Sequence, residues 1–324
     1  MKNIIKTLIV MLTSVSLFGA ANAGDLGVSG TAKATYNILS GKVAEGKGIG
    51  ITNELNFTAS GELDNGFTWK YSMELDPADA ANGGAANNDD TQITMTTPLG
   101  TVGVYVLEGG LDVEDAASQS VYSRPTDSGD PSATQDNFSI DTYNNLQYHT
   151  NAGMLPFDAV FKYAYAPDLD TTNNSGNARG ATHQLTTTYA GRSMSAYKLT
   201  AAPIDGLAVG ASYNEFSGEG VAKNDQGAES GAYYLTYTMG PATIGYSKGY
   251  KAPLLADATT SAGATTVEYY DQTNYSIAFL FPGNEDLSVS YEKETSEANY
   301  ATSTTATVEQ ESSGVQLAYT MGGM

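Results

Sequence analysis

Apolar and polar residues alternate along most of this chain, in stretches of about ten residues. The segment Phe67–Leu75 (FTWKYSMEL) shows the pattern, because its odd positions are large and apolar and its even positions are polar or charged. Successive side chains of a β-strand point to opposite faces, so each such segment has one apolar and one polar face. The repetition predicts an all-β chain whose sheet meets an apolar medium on one face and water on the other.

Fourteen such segments are visible. We place them at about residues 27–39, 49–63, 67–75, 92–97, 101–107, 142–150, 157–165, within 182–202, 207–213, on either side of Met239-Gly240-Pro241, 272–281, 287–292 and 314–320. Short turns such as Asp64-Asn65-Gly66 follow the even-numbered strands, since Asn-Gly tolerates the backbone angles of tight turns, and long polar loops follow the odd ones. This predicts a transmembrane antiparallel up-and-down β-barrel with short periplasmic turns and long extracellular loops. A soluble β-sandwich is the main alternative, and a β-helix is a weaker one.

A sheet in a membrane has to close on itself, because lipid offers no partner to an unpaired backbone N–H or C=O. The sequence stops at Met324, soon after the residues Tyr319-Thr320-Met321-Gly322. The same four residue types, Tyr237-Thr238-Met239-Gly240, precede a turn and a further strand earlier in the chain. We therefore expect one C-terminal hairpin to be missing, so that the complete barrel has sixteen strands.

The N-terminus has the three parts of a secretory signal peptide. Lys2 and Lys6 form a basic region, residues 8–18 are apolar, and Ala21-Asn22-Ala23 is a small-residue cleavage site. We expect residues 1–23 to be removed on export and residues 24–324 to form the barrel domain. An uncleaved anchor is the alternative, although the apolar run is short for a membrane span.

Composition narrows the range of functions. The chain has 15 basic and 36 acidic residues and no cysteine. This excess of acid argues against a large basic surface for nucleic acid and favours cations near the protein. His149 and His183 lack cysteine or carboxylate neighbours at zinc-binding spacing, and no Gly-x-Ser-x-Gly motif occurs, so we do not expect an enzyme, although barrel enzymes exist.

The longest irregular stretch, residues 108–141, concentrates acidic side chains and has a single base, Arg124. If this stretch folds into a water-filled lumen, its charge would favour cations. A solvated outer loop with no part in permeation is the alternative. The eight acids are Glu108, Asp112, Glu114, Asp115, Asp127, Asp130, Asp136 and Asp141.

Several segments resemble the general porins of the Gram-negative outer membrane, a family of sixteen-stranded trimeric barrels. They are Leu26–Gly30, the hairpin Gly61–Tyr71, the turns Thr97–Val102 and Pro203–Leu207, and the long loop after the fifth strand. The similarity covers essentially the whole mature chain as pattern and spacing, without one diagnostic motif. Two features depart from the family: the chain does not end in an aromatic residue, and Glu108–Asp112 matches the acidic, glycine-rich tip of the family's third loop only loosely.

The resemblance implies a passive diffusion channel in the outer membrane, a homotrimer in contact with lipid and lipopolysaccharide, passing small hydrophilic solutes and ions. It also implies basic side chains across the lumen from the acidic loop, for which Lys33, Lys70 and Lys162 are the candidates on strands, beside Arg124 of the loop itself. Alternatives are a porin specific for a small charged metabolite and a non-conducting structural or adhesive barrel.

No cofactor is expected. Asp168–Asn173 is similar to a calcium-binding loop but lacks the glycine and the terminal glutamate at the required positions. Loose binding of Ca²⁺ or Mg²⁺ at acidic loops is the alternative to no metal at all.

Overall fold

The computed structural model describes residues 26–39, 46–77, 86–120, 124, 137–167, 169, 192–218, 227–253, 267–300 and 307–319. Within residues 31–53, 76–77 and 86–90, and at Glu285, it describes the backbone alone. The predicted signal peptide, residues 1–23, lies outside the described residues. No helix within the described ranges is long and apolar enough to cross a membrane.

The described ranges contain fourteen β-strands and three short 3-10 helices. The strands are β1 (Leu26–Leu39), β2 (Gly46–Glu62), β3 (Thr68–Pro77), β4 (Ala86–Thr97), β5 (Gly100–Val106), β6 (Asn145–His149), β7 (Val160–Ala166), β8 (Arg192–Ile204), β9 (Leu207–Gly218), β10 (Glu229–Met239), β11 (Ala242–Ala252), β12 (Val267–Phe281), β13 (Asn284–Tyr300) and β14 (Val308–Tyr319). The 3-10 helices are Glu114–Ala117, Ile140–Thr142 and Pro156–Asp158.

The strands form one antiparallel sheet in sequence order, from β1 to β14. Tight turns join each even-numbered strand from β2 to β12, apart from β6, to the next. In the first of them Gly66 adopts a φ of 79°, and the side chain of Asn65 accepts a hydrogen bond of 3.1 Å from the backbone N–H of Phe67. Such a positive φ is open to glycine without strain. The alternation of short turns and long connections therefore follows the predicted pattern except after β6, where the connection is longer and contains the 3-10 helix Pro156–Asp158.

Two compact units make up the chain. One contains the residues up to Gly109 together with Asp141–Tyr148, and the other contains Gly110–Ile140 and the residues from His149 onward. The first unit thus holds β1–β5 and most of β6. The second holds β7–β14 and the central part of the long acidic stretch.

Burial in the second unit is inverted relative to a water-soluble protein. On β12 the apolar Tyr275 and Ile277 are 54% and 45% exposed, whereas the polar Asn274 and Ser276 are both 6% exposed. On β14, Leu317 is 69% exposed. Soluble proteins rarely expose contiguous apolar surface of this kind. The face that carries these side chains is therefore suited to contact with hydrocarbon.

Several strand boundaries differ from those predicted. The interval of residues 76–91 between the third and fourth predicted strands is partly strand, because Asp76 and Pro77 belong to β3 and Ala86–Thr91 belongs to β4. Strand β13 continues eight residues beyond its predicted end at Glu292, to Tyr300. In both places the residues are polar on both faces, so backbone pairing continues where the alternation that marks a strand is absent.

Candidate functional site

The long acidic stretch lies against the polar face of the sheet within the second unit. We call its described part in that unit, residues 110–120, 124 and 137–140, the inner segment. Its 3-10 helix, Glu114–Ala117, packs on β10, β11 and β12. Its hydrogen bonds and ion pairs extend from Lys198 on β8 to Glu294 on β13.

Many positions of the wall beneath the inner segment carry small residues. Ser276 of β12 donates a hydrogen bond to the carbonyl oxygen of Ala117, and a Cβ added at Gly245 of β11 would overlap that same oxygen. A larger residue at this position would push the segment off the sheet. Other positions on this face of β9–β11 are also small: Ala208, Gly210, Ser212, Ser230, Ala232, Ser247 and Gly249.

One end of the inner segment is held by Phe138. Its backbone N–H donates to Ser230 Oγ at 3.0 Å, and its carbonyl oxygen accepts from Asn214 Nδ2 at 2.6 Å. Its ring meets the ring of Phe216 edge-on, with 4.8 Å between centroids, and Lys251 Nζ lies 4.6 Å from its centroid. Edge-to-face and cation–π contacts are both favourable geometries. Phe138 thus connects the segment to β9, β10 and β11.

The side chain of Glu114 ties the two ends of the segment together. Its carboxylate accepts from the backbone N–H and the side-chain amide of Asn137, at 3.0 and 3.3 Å. Its own carbonyl oxygen accepts from Ser247 Oγ at 2.8 Å, and the carbonyl oxygen of Asp112 accepts from Lys198 Nζ at 3.0 Å. The backbone groups of an irregular segment have no partners in a helix or strand ladder, and these bonds satisfy some of them.

Glu292 on β13 binds the middle of the inner segment through hydrogen bonds. Ser118 Oγ donates to its carboxylate at 2.7 Å, and Ser120 Oγ and Asn274 Nδ2 also donate to it. Glu292 is fully buried. A buried carboxylate is tolerated where several donors surround it, so these contacts explain an acidic residue at this position.

Arg124 connects the segment to β13 through charge. Its Nε lies 2.7 Å from Glu294 Oε1, and its guanidinium also pairs with Asp115. Burial opposes the charged form of Arg124, but the charges of Asp115 and Glu294 outweigh it, and the pKa of the guanidinium is raised. The arginine is therefore a permanent positive charge shared by one loop acid and one wall acid.

A small pocket opens beside this ion pair. It is lined by Glu114, Asp115, Arg124 and Glu294, together with polar residues of β11, β12 and β13. The lining carries three carboxylates and one guanidinium. The described surface here is consequently polar and predominantly acidic.

The structure brings some of the predicted acidic residues together and separates others. Glu114 and Asp115 lie beside the same cavity, and the backbone of Asp112 contacts β8. Glu108 belongs to the first unit, where its carbonyl oxygen accepts from Asn145 Nδ2 at 3.1 Å, and Asp141 lies in a short 3-10 helix. Three further acids lie outside the described residues: Asp127, Asp130 and Asp136.

The predicted basic residues have different environments. Lys33 pairs with Thr52 between β1 and β2, but its side chain is not described. Lys70 is exposed on β3, and Lys162 is half-buried on β7. Arg124, by contrast, has two carboxylate partners.

The sequence analysis missed Lys198, Glu292 and Glu294, all of which touch the inner segment. A signal for the buried wall was nevertheless present. On β7 and β8 the positions that alternate with the tyrosines include Ala164, Ala166, Met194 and Ala196, all fully buried. Buried apolar residues on an otherwise polar face indicate that another part of the chain covers that face.

Within the described ranges, no group of three or more histidine or acidic side chains is arranged to hold a metal ion. Most of the predicted calcium-like loop, Asp168–Asn173, lies outside those ranges. Loose binding of a divalent cation there stays a prediction.

No protein family and no curated protein matches the sequence. Among solved structures, a porin matches with a TM-score of 0.56 and 14% identity, over 92% of this chain and 91% of that one. A porin variant of Rh. blastica matches with a TM-score of 0.52 and 14% identity, over 91% and 99%. In-vitro folded OmpT, an outer membrane protein of Vibrio cholerae, matches with a TM-score of 0.54 and 13% identity, over 94% and 85%.

These structural similarities extend over nearly the whole chain, and they agree with the sequential order of the fourteen strands and with the inverted burial of the second unit. The fold predicted from the alternation is confirmed: the chain has the antiparallel up-and-down β-barrel fold of the porins.

Proposed function

We propose that this protein is a passive, water-filled diffusion channel of the outer membrane that prefers cations. The apolar face of the sheet would contact lipid, and the polar face would line the channel, because a sheet satisfies every backbone group in hydrocarbon only when it is closed. The observation that carries the proposal is the inner segment, which lies on the polar face and presents Glu114 and Asp115 beside a polar cavity.

Charge gives the proposed direction of selectivity. Asp115 is well exposed on the inner segment, with 61% of its side chain accessible, and Glu114 and Glu294 line the same pocket. Arg124 offsets part of this charge. Because selectivity in a pore follows the charges that line it, the acidic excess should admit small cations more readily than anions.

Planar-bilayer recording of the refolded protein tests this function. We expect an ohmic conductance and a reversal potential of cationic sign in a salt gradient. Asp115→Asn should move the reversal potential towards zero, whereas Asp64→Asn, which removes a charge from an exposed turn between β2 and β3, should leave it unchanged. Anion preference would overturn the proposed selectivity, and absence of conductance would overturn the channel.

Localisation and assembly belong to the same proposal. We expect the protein in the outer membrane, exposed to lipid and lipopolysaccharide, as a homotrimer that passes small hydrophilic solutes. Membrane fractionation and chemical cross-linking of the detergent-extracted protein test these two points separately. Saturation of the conductance by a single solute would instead favour a substrate-specific channel.

A further inference from the structure

Three basic side chains form a row across β6, β7 and β8. Lys162 and Lys198 are directly opposite each other in the ladder between β7 and β8. The backbone N–H of Thr150 donates to the carbonyl oxygen of Phe161 at 2.9 Å, which places His149 opposite Lys162. Directly opposed residues share one face of a sheet, with Cβ atoms about 4.5–5.5 Å apart.

This row lies on the polar face, at the edge of the inner segment. Lys198 donates to the carbonyl oxygen of Asp112 at 3.0 Å, so the row stands where the segment meets β8. Both lysines are half-buried. The positions that continue the row across β9–β12 are uncharged: Ser212, Ala232, Gly249 and Gln272.

Opposed like charges on neighbouring strands destabilise a sheet. The cost is notable in a chain with only 15 lysine and arginine residues, where two of them stand side by side. The negative charges of Asp112 and Glu114 stabilise the ammonium group of Lys198. The charge of Lys198, in contrast, destabilises the ammonium group of Lys162. Lys162 shows no hydrogen bond or ion pair to any described residue and is therefore the charge best placed to bind an anion.

We propose that His149, Lys162 and Lys198 form a binding site for phosphate or a phosphomonoester. A dianion with three terminal oxygens can accept hydrogen bonds from both ammonium groups and relieve their repulsion, which a single carboxylate does less completely. An imidazole N–H supplies a third donor in either protonation state of the histidine. The site faces away from the apolar surface, so its ligand is a dissolved phosphate rather than a lipid headgroup.

Binding can be measured on the folded protein in detergent, whether or not it conducts. We expect saturable broadening of the phosphorus resonance of inorganic phosphate as the protein is added, at mildly alkaline pH and low salt. Glycerol phosphate should compete with it, and acetate at the same concentration should not. Lys162→Gln should weaken phosphate binding about tenfold, as expected for loss of one charge-assisted hydrogen bond.

Lys248→Gln is the matched control, because Lys248 lies on the apolar face of β11 with Ile244, opposite the uncharged Tyr233 and Thr273. It should leave phosphate binding unchanged. Circular dichroism of both variants shows whether each is folded. Linear broadening without saturation, equal binding by Lys162→Gln and the wild type, or an equal loss in both variants would each overturn the proposal.

Discussion

The ion pair between Arg124 and Glu294 should be the strongest single attachment of the inner segment to the sheet. The two side chains are 13% and 3% exposed, and Arg124 Nε lies 2.7 Å from Glu294 Oε1. The other partner of Arg124, Asp115, is 61% exposed. One arginine thus makes a buried and an exposed ion pair, and substitutions can separate the two.

Arg124→Met should lower the free energy of unfolding by about 3–5 kcal/mol, because it leaves the buried carboxylate of Glu294 without the guanidinium. Asp115→Asn should cost about 0–1 kcal/mol, since water screens an exposed pair. The double variant Arg124→Met/Glu294→Gln should be more stable than Arg124→Met alone, because it removes the buried charge as well as its partner.

Urea unfolding of the four proteins in detergent micelles, followed by circular dichroism, gives these free energies. Limited proteolysis should show earlier cleavage within the inner segment of Arg124→Met. The raised pKa of Arg124 means that its contribution is complete below its unfolded pKa and is lost only as pH rises through the folded value, so results should agree across the neutral range.

Equal losses of stability in Arg124→Met and Asp115→Asn would refute this reasoning, because the buried pair would then contribute no more than the exposed one. A double variant as unstable as Arg124→Met would refute the claim that the unpaired carboxylate of Glu294 carries the cost. The single variant Glu294→Gln, measured in the same way, completes the double-variant cycle, which isolates the thermodynamic coupling between the two positions.

Three further predictions concern the wall and the two faces of the sheet. Gly245→Ala should cost about 1–3 kcal/mol by displacing the inner segment, whereas Gly249→Ala, on the same face of β11, should cost less because its Cβ meets the movable end of a glutamine side chain; urea unfolding compares them. Phe138→Ala should cost about 1–3 kcal/mol through its lost aromatic and cation–π contacts, and unchanged stability would contradict that role. Leu317→Lys should cost about 2–4 kcal/mol near the bilayer midplane, measured by folding into liposomes, whereas Gln316→Lys on the opposite face should be tolerated; equal effects would contradict the assignment of the faces.

Alternation and turn chemistry were sufficient to predict the fold class. Each strand reveals its two faces through residues only two apart, and each tight turn depends on local residues such as Asn65-Gly66. These signals are local, so a single sequence contains them. The C-terminal part of β13 was not predicted, because both faces of the strand are polar there. Its pairing with β12 and β14 cannot be seen in the residue pattern.

The candidate site was predictable only in part. The concentration of acids in residues 108–141 was visible in the sequence, but their partners lie far along the chain: Arg124 and Glu294 are 170 positions apart. Which strand receives the segment depends on register across six strands. The opposition of Lys162 and Lys198 arises in the same way, from the pairing of β7 with β8.

By itself, therefore, the sequence determined that the chain is a sheet with one apolar and one polar face, because that property repeats every two residues. Only the tertiary structure decided where the acidic segment lies, which carboxylates it shares and which lysines stand opposite each other. Those relations depend on cross-strand register, which a tight turn fixes only between the two strands that it joins. Across long connections and several strands, no local pattern shows which residues stand opposite each other.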